Sequence, residues 1–95
     1  MSQDGTEQGT RDGGLTAFQS FVLSLGSSSM VHLGEIPDPE TKAPRPNLRL
    51  AQATIETLEM LAEKTRGNLE PQEEQTMQRL LTELRMRFVA AANKQ

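Results

Sequence analysis

Two segments with apolar residues at helical spacing, residues 48–66 and 71–92, are separated by only Gly67-Asn68-Leu69-Glu70. A link that short cannot carry the chain from one end of a helix to the other. The second segment must therefore turn back along the first, and the pair is constrained to an antiparallel αα-hairpin. In the first segment Leu48, Ala51, Ile55, Leu58 and Ala62 recur at spacings of three, four, three and four. Thr54 and Leu61 broaden that stripe, while Glu56, Glu59 and Glu63 stand away from it. Asn47 is placed as N-cap, Lys64 and Arg66 sit in the last turn where the helix dipole favours cations, and Gly67 is the stop. The second segment opens on Pro71 with Glu73 and Glu74 in its first turn, as a helix N-terminus prefers. Met77, Leu80, Leu81, Leu84 and Phe88 mark its buried face, with Ala91 a step further on. Arg79, Glu83 and Arg87, four apart, are placed to pair along the helix.

A third helix is expected upstream, over about residues 15–33. Thr16 is its N-cap, and Gln19 three residues on completes a capping box. At about 100° per residue Phe18, Phe21, Val22 and Leu25 share a face that continues through Ser29 and His32. Gly34 is placed to end the helix as its C′ residue. The run Gly26-Ser27-Ser28-Ser29 has low helix propensity, so a break there is the alternative to one continuous helix. Between this helix and the hairpin, residues 35–46 hold four prolines within ten residues, Pro37, Pro39, Pro44 and Pro46, and cannot be helical. At ~3.1 Å per residue a segment of that composition is a stiff connector, long enough to cross from one end of a bundle to the other. The fold class expected is therefore all-α: a three-helix arrangement in which an N-terminal helix joins the αα-hairpin through a Pro-rich crossover.

Residues 1–14 carry Gly5, Gly9, Gly13 and Gly14 among polar side chains and no aliphatic residue after Met1, and are expected to be a disordered tail. Residues 15–95 are then one helical domain, small enough that marginal stability is its default state. The N-terminus lacks a basic and apolar leader and no run approaches the ~20 apolar residues of a membrane span, so a cytoplasmic address is expected. Residues 1–46 hold six acids and three bases, whereas residues 47–95 hold seven of each. With no basic field, no Trp or Tyr and three Phe, nucleic acid is not expected as a partner. The absence of cysteine removes disulfides and thiolate metal sites.

The stretch Phe21-Val22-Leu23-Ser24-Leu25-Gly26-Ser27-Ser28, followed by Val31-His32-Leu33-Gly34-Glu35-Ile36-Pro37-Asp38-Pro39, resembles the small bacterial family known as domain of unknown function eighteen forty-four. Asn47-Leu48, residues 55–61 and 63–69, and Leu84-Arg85-Met86-Arg87-Phe88-Val89 are similar to the rest of that domain, so the resemblance covers about residues 18–90. One departure is Glu70 where Thr would be expected before the proline, which weakens the N-cap of the last helix. The resemblance implies a bacterial, cytosolic, helical domain and brings no activity with it.

Side chains able to carry chemistry are few. His32 is the only histidine, and Glu35 or Asp38 would be its orienting carboxylate. A lone histidine without cysteine or a second histidine is a poor metal site, and a packed or interfacial imidazole is the preferred reading. Asp38 and Glu40 stand among prolines where a calcium loop would have to curl, and are read as solvated loop acids. Gly26-Ser27-Ser28-Ser29 follows no strand and has no lysine within reach, which argues against a phosphate loop and against an activated serine. Small side chains for close helix packing are the preferred reading. The cations Arg85, Arg87 and Lys94 complement the dipole of the last helix.

The function expected is a non-catalytic interaction or adaptor module that acts through homo-oligomerisation, with a C2 dimer as the expected closed form, and with a larger bacterial protein as a further partner. No cofactor and no metal are called for. The face assigned to self-association comprises Phe21, Leu23, Gly26, Ser27, Met30, Val31 and His32, because Leu23 and Met30 lie off the stripe needed for the bundle. The alternatives are a small enzyme using His32 with Glu35 or a serine of residues 27–29, and a membrane-surface helix over residues 15–33. The latter lacks the Lys and Arg that anionic lipids attract.

Overall fold

Local capping chemistry sets the start of every helix. The computed structural model describes residues 14–94, and within them three helices form: α1, Ala17–Leu33; α2, Leu48–Lys64; α3, Pro71–Asn93. The expectation of a disordered tail falls, but for Gly14, outside the described residues. At the start of α1 the Thr16 hydroxyl accepts the Gln19 N–H at 3.1 Å while the Thr16 N–H donates to Gln19 Oε1 at 2.9 Å, which completes the expected box. Asn47 caps α2 by accepting the Leu50 N–H at 3.1 Å. At α3 the weak N-cap residue Glu70 is compensated by its successor three residues on, since the Glu70 N–H donates to Glu73 Oε1 at 2.8 Å. Helix α1 runs unbroken through Gly26-Ser27-Ser28-Ser29. Helix α2 ends at Lys64, two residues before its expected limit, with Thr65 as its C-cap.

Each helix packs against the other two, and no strand forms among the described residues. The core is Val22 and Leu33 from α1, Ala51, Ile55 and Leu58 from α2, and Met77, Leu81 and Leu84 from α3. Phe18, Leu25, Leu48, Leu61, Leu80 and Phe88 close over it, partly buried. The hairpin stripes are therefore where periodicity places them.

Helix α1 differs. Its buried residues are Gln19, Val22, Gly26, Ser29 and Leu33, so the helix is rolled away from the expected Phe18, Phe21, Val22 and Leu25 face. Phe21 is 51% exposed. The reason is steric and polar together. A Cβ on Gly26 would stand 2.7 Å from Leu80 Cδ1, so α3 lies close enough that any side chain there makes the Leu80 methyls shift, and Gly26 faces inward. Ser29 is also fully buried, its hydroxyl without a hydrogen-bond partner. At the N-terminal end of the contact Gln19 Nε2 donates to Thr76 Oγ1 at 2.8 Å, and the Thr16 hydroxyl donates to Glu73 Oε2 at 2.7 Å. Helices α1 and α3 thus run parallel with their N-termini side by side, and both dipoles favour the buried Glu73 carboxylate.

The Pro-rich connector takes a different path from the expected crossover. The Asn47 N–H donates to His32 O at 2.6 Å, so α2 begins beside the end of α1 and the connector returns to where it started. Proline fixes local stiffness and not direction, and the direction is reversed by hydrogen bonds that composition does not reveal. Gly34 turns the chain at φ +84°, with Pro46 3.3 Å from the position a Cβ would occupy. Asp38 closes the far end: its carboxylate accepts the Glu40 N–H at 2.7 Å, its carbonyl accepts the Lys42 N–H at 2.7 Å, and its own N–H donates to Ala43 O at 2.9 Å.

Four outcomes are expected. Leu58→Asp or Leu84→Asp places a carboxylate at a fully buried core position, a cost of several kcal/mol against a total stability of about 5 kcal/mol, so circular dichroism should show loss of the helical transition. Gln19→Ala removes the bond from α1 to Thr76 of α3 and strands the Thr16 N–H, at about 1–3 kcal/mol, which thermal melts should record as a drop of several degrees or more. Gly26→Ala should fall within about 1 kcal/mol of the parent, because helix propensity gains offset a shift of the Leu80 methyls. Gly26→Ile should instead lose about 1–3 kcal/mol by overpacking.

Candidate functional site

The seven residues assigned to a partner face divide among four sides of α1. Gly26 lies inside the bundle against Leu80, so its assignment to an external face is corrected: its smallness serves contact within the chain. Met30 is partly buried against the core, on the flank that also carries the exposed Leu23. That flank lies on the α3 side, where Leu23 borders a shallow depression with Thr76, Arg79, Leu80 and Glu83. Phe21 and the half-buried His32 lie on the opposite flank. Ser27, exposed, and Val31, half-buried, point outward between the flanks.

The residues considered for catalysis are not drawn together. Glu35 directs its carboxylate to Arg87, Oε1 to Nη1 at 3.0 Å, and Arg87 is also held by Glu83 one turn earlier. Ser27 and Ser28 are exposed on α1, whereas Ser29 is sealed in the core. What His32 contributes to the fold is its carbonyl, the acceptor that begins α2. Asp38 and Glu40 are joined by a turn hydrogen bond. Among the described residues no group of three or more His, Cys, Asp or Glu is placed to hold a metal ion, and no helix is long and apolar enough to cross a membrane. Arg85 and Arg87, read as a cluster complementing a dipole, each meet an acid from another part of the chain: Arg85 binds Glu59 at 3.0 Å. Exposed pairs of this kind contribute about 0–1 kcal/mol each.

Two features of the surface stand out. The first is that the whole of α1 is uncharged: from Leu15 to Leu33 there is no Asp, Glu, Lys or Arg. Its outward line is Ser20, Ser24, Ser27 and Val31, flanked by Phe21 at 51% and Leu23 at 38% exposure. The other helices carry charge outward, through Arg49, Glu56 and Glu63 on α2 and Glu74, Arg79 and Glu83 on α3. The signal for this face was present in the sequence as the missing charge, and Ser20 and Ser24 belong to it although apolar periodicity does not select them. The second feature is an apolar groove between α2 and α3, floored by Ile55, Phe88 and Val89 and rimmed by Gln52, Glu56 and Arg85. Met86 beside it is 64% exposed. Sequence reasoning placed Ile55 and Phe88 in the core and did not see that the helices leave a cleft over them.

No curated protein and no solved structure gives a match to this chain. The family model described as Domain of unknown function (DUF1844) matches residues 16–90, from the N-cap of α1 to the last turns of α3, and the chain belongs to that family.

Proposed function

We propose that this chain is a non-catalytic, cytoplasmic interaction module that self-associates through α1 and presents its remaining surface to a larger protein partner. The observation that carries the reading is the uncharged outward face of α1, with Phe21 and Leu23 standing in water on either side of a serine line. A surface helix of a lone domain ordinarily turns charged side chains to solvent. This one offers instead what a buried helix contact uses: small residues that let backbones approach, large apolar flanks, and no ion to desolvate. Removing Phe21 and Leu23 from water contributes roughly 1.5–3 kcal/mol each, which is large beside the marginal core of one small subunit. The groove over Ile55 and Phe88 and the exposed Met86 and Val89 lie on α2 and α3, and remain open to a different protein when α1 is covered.

Light scattering across a concentration series tests the reading. The parent chain should show a dimer mass that dissociates on dilution in the micromolar range. Phe21→Glu and Leu23→Glu should each give a monomer with unchanged helicity, since both side chains are exposed within the single bundle. A strictly monomeric parent at micromolar and higher concentrations, with both variants indistinguishable from it, would reject the proposal.

A further inference from the structure

We infer that the groove over Ile55 and Phe88 seats a basic amphipathic helix of another protein, which lays an apolar side chain on Phe88 and Val89 and a Lys or Arg against Glu56. The inference rests on the reading that α2 and α3 stay open to a different protein. The kind of occupant follows first from size. The groove encloses about 220 Å³, below the ~300–1,000 Å³ of a small-molecule site, so it suits a few side chains brought by a protein. Its walls are two helices, and no strand forms among the described residues, so no sheet edge offers main-chain pairing. A helix laid along the valley is the mode of recognition that remains.

Charge then sets the chemistry of that helix. Of the charged side chains that border the groove, Arg85 and Glu59 meet at 3.0 Å and neutralise one another. Glu56 is left over. Its carboxylate accepts the neutral amide of Gln52 at 3.2 Å, and among the described residues no cation lies within ion-pair distance of it. A partner that covers Ile55, Phe88 and Val89 also takes water from this carboxylate. An apolar or acidic neighbour would leave the charge uncompensated, whereas a Lys or Arg pairs with it and rests its stem on the Phe88 ring. The same carboxylate repels phosphate backbones and anionic lipid. The Glu59–Arg85 pair joins α2 to α3 and closes the groove at one end, and from Glu59 to Gln52 the α2 wall is ~10 Å long. That length matches about two helical turns, room for apolar anchors at i and i+3 or i+4. Met86 and Val89, 64% and 57% exposed, continue the apolar surface along α3 and lie under the flank of such a helix.

The probe is an end-capped, fluorescein-labelled helical peptide of Ala, Leu and Lys, with leucines at i, i+3, i+4 and i+7 and lysines along both edges of that stripe. A twin carries Glu for every Lys. Fluorescence anisotropy with the full chain should show saturable binding of the Lys peptide and none of the twin. Val89→Asp and Glu56→Lys, both at exposed positions, should each weaken the Lys peptide about tenfold or more with helicity unchanged, and Glu56→Lys should admit the twin. Glu74→Lys makes the same change of net charge in the first turn of α3, far from the groove, and should leave the affinity within about twofold of the parent. Binding that Val89→Asp and Glu56→Lys do not weaken, or that Glu74→Lys weakens as much as Glu56→Lys, comes from net charge or another face and overturns the inference. Absence of saturable binding at up to about 1 mM protein overturns it as well. Light scattering on the same samples separates this result from self-association. A dimeric parent that fails to bind the peptide overturns the inference alone, and a monomeric parent that binds it at this groove removes the α1 dimer and supports the inference.

Discussion

Everything in this fold depends on how closely α1 can approach α3. The contact is made at Gly26, where a Cβ would stand 2.7 Å from Leu80 Cδ1, and it is ended by Gln19, whose amide donates to Thr76. Close approach of this kind is made with small and polar groups, so α1 contributes only Val22 and Leu33 to the fully buried apolar core. The hairpin supplies the rest. The bundle is thus an apolar pair of helices with a third seated on it through shape and hydrogen bonds, and removing either ingredient loosens the same helix.

Where the chain starts and stops its helices was legible, because caps are local: Thr16 with Gln19, Asn47, Pro71 and Gly34 each act within a few residues of themselves. The stripes of α2 and α3 were legible for a related reason, since Leu, Ile and Met at three-four spacing leave one face to bury. The face of α1 was not. Counting apolar residues favours Phe18, Phe21, Val22 and Leu25, of which only Val22 is fully buried, because the packed face is chosen by what fits against Leu80, a property of two helices together. The connector was misjudged in the same way. Four prolines show that it is stiff, but the bond from Asn47 to the carbonyl of His32 decides where it goes.

The candidate surface was partly readable. Leu23 and Val31 lie off the buried stripe of α1, as their spacing indicates, but Gly26 was assigned outward by its type when its position turns it in. Ser20 and Ser24 were overlooked because serine has no periodic signal, and only the uniform lack of charge from Leu15 to Leu33 marks them. The cleft over Ile55 and Phe88 could not be read at all, since it arises from the spacing of two backbones.

The meeting of His32 and Asn47 has an evolutionary consequence. Because the backbone is pinned at both feet of the connector, the dozen residues between them form a closed excursion whose length is uncoupled from the helices. Each doubling of such a loop costs only about 0.6 kcal/mol in closure entropy. An insertion or deletion within residues 40–45 is therefore tolerated without shifting the register of α1 on the hairpin, while the Glu35–Pro39 stretch that carries the family likeness is held, through Glu35, to Arg87 of α3.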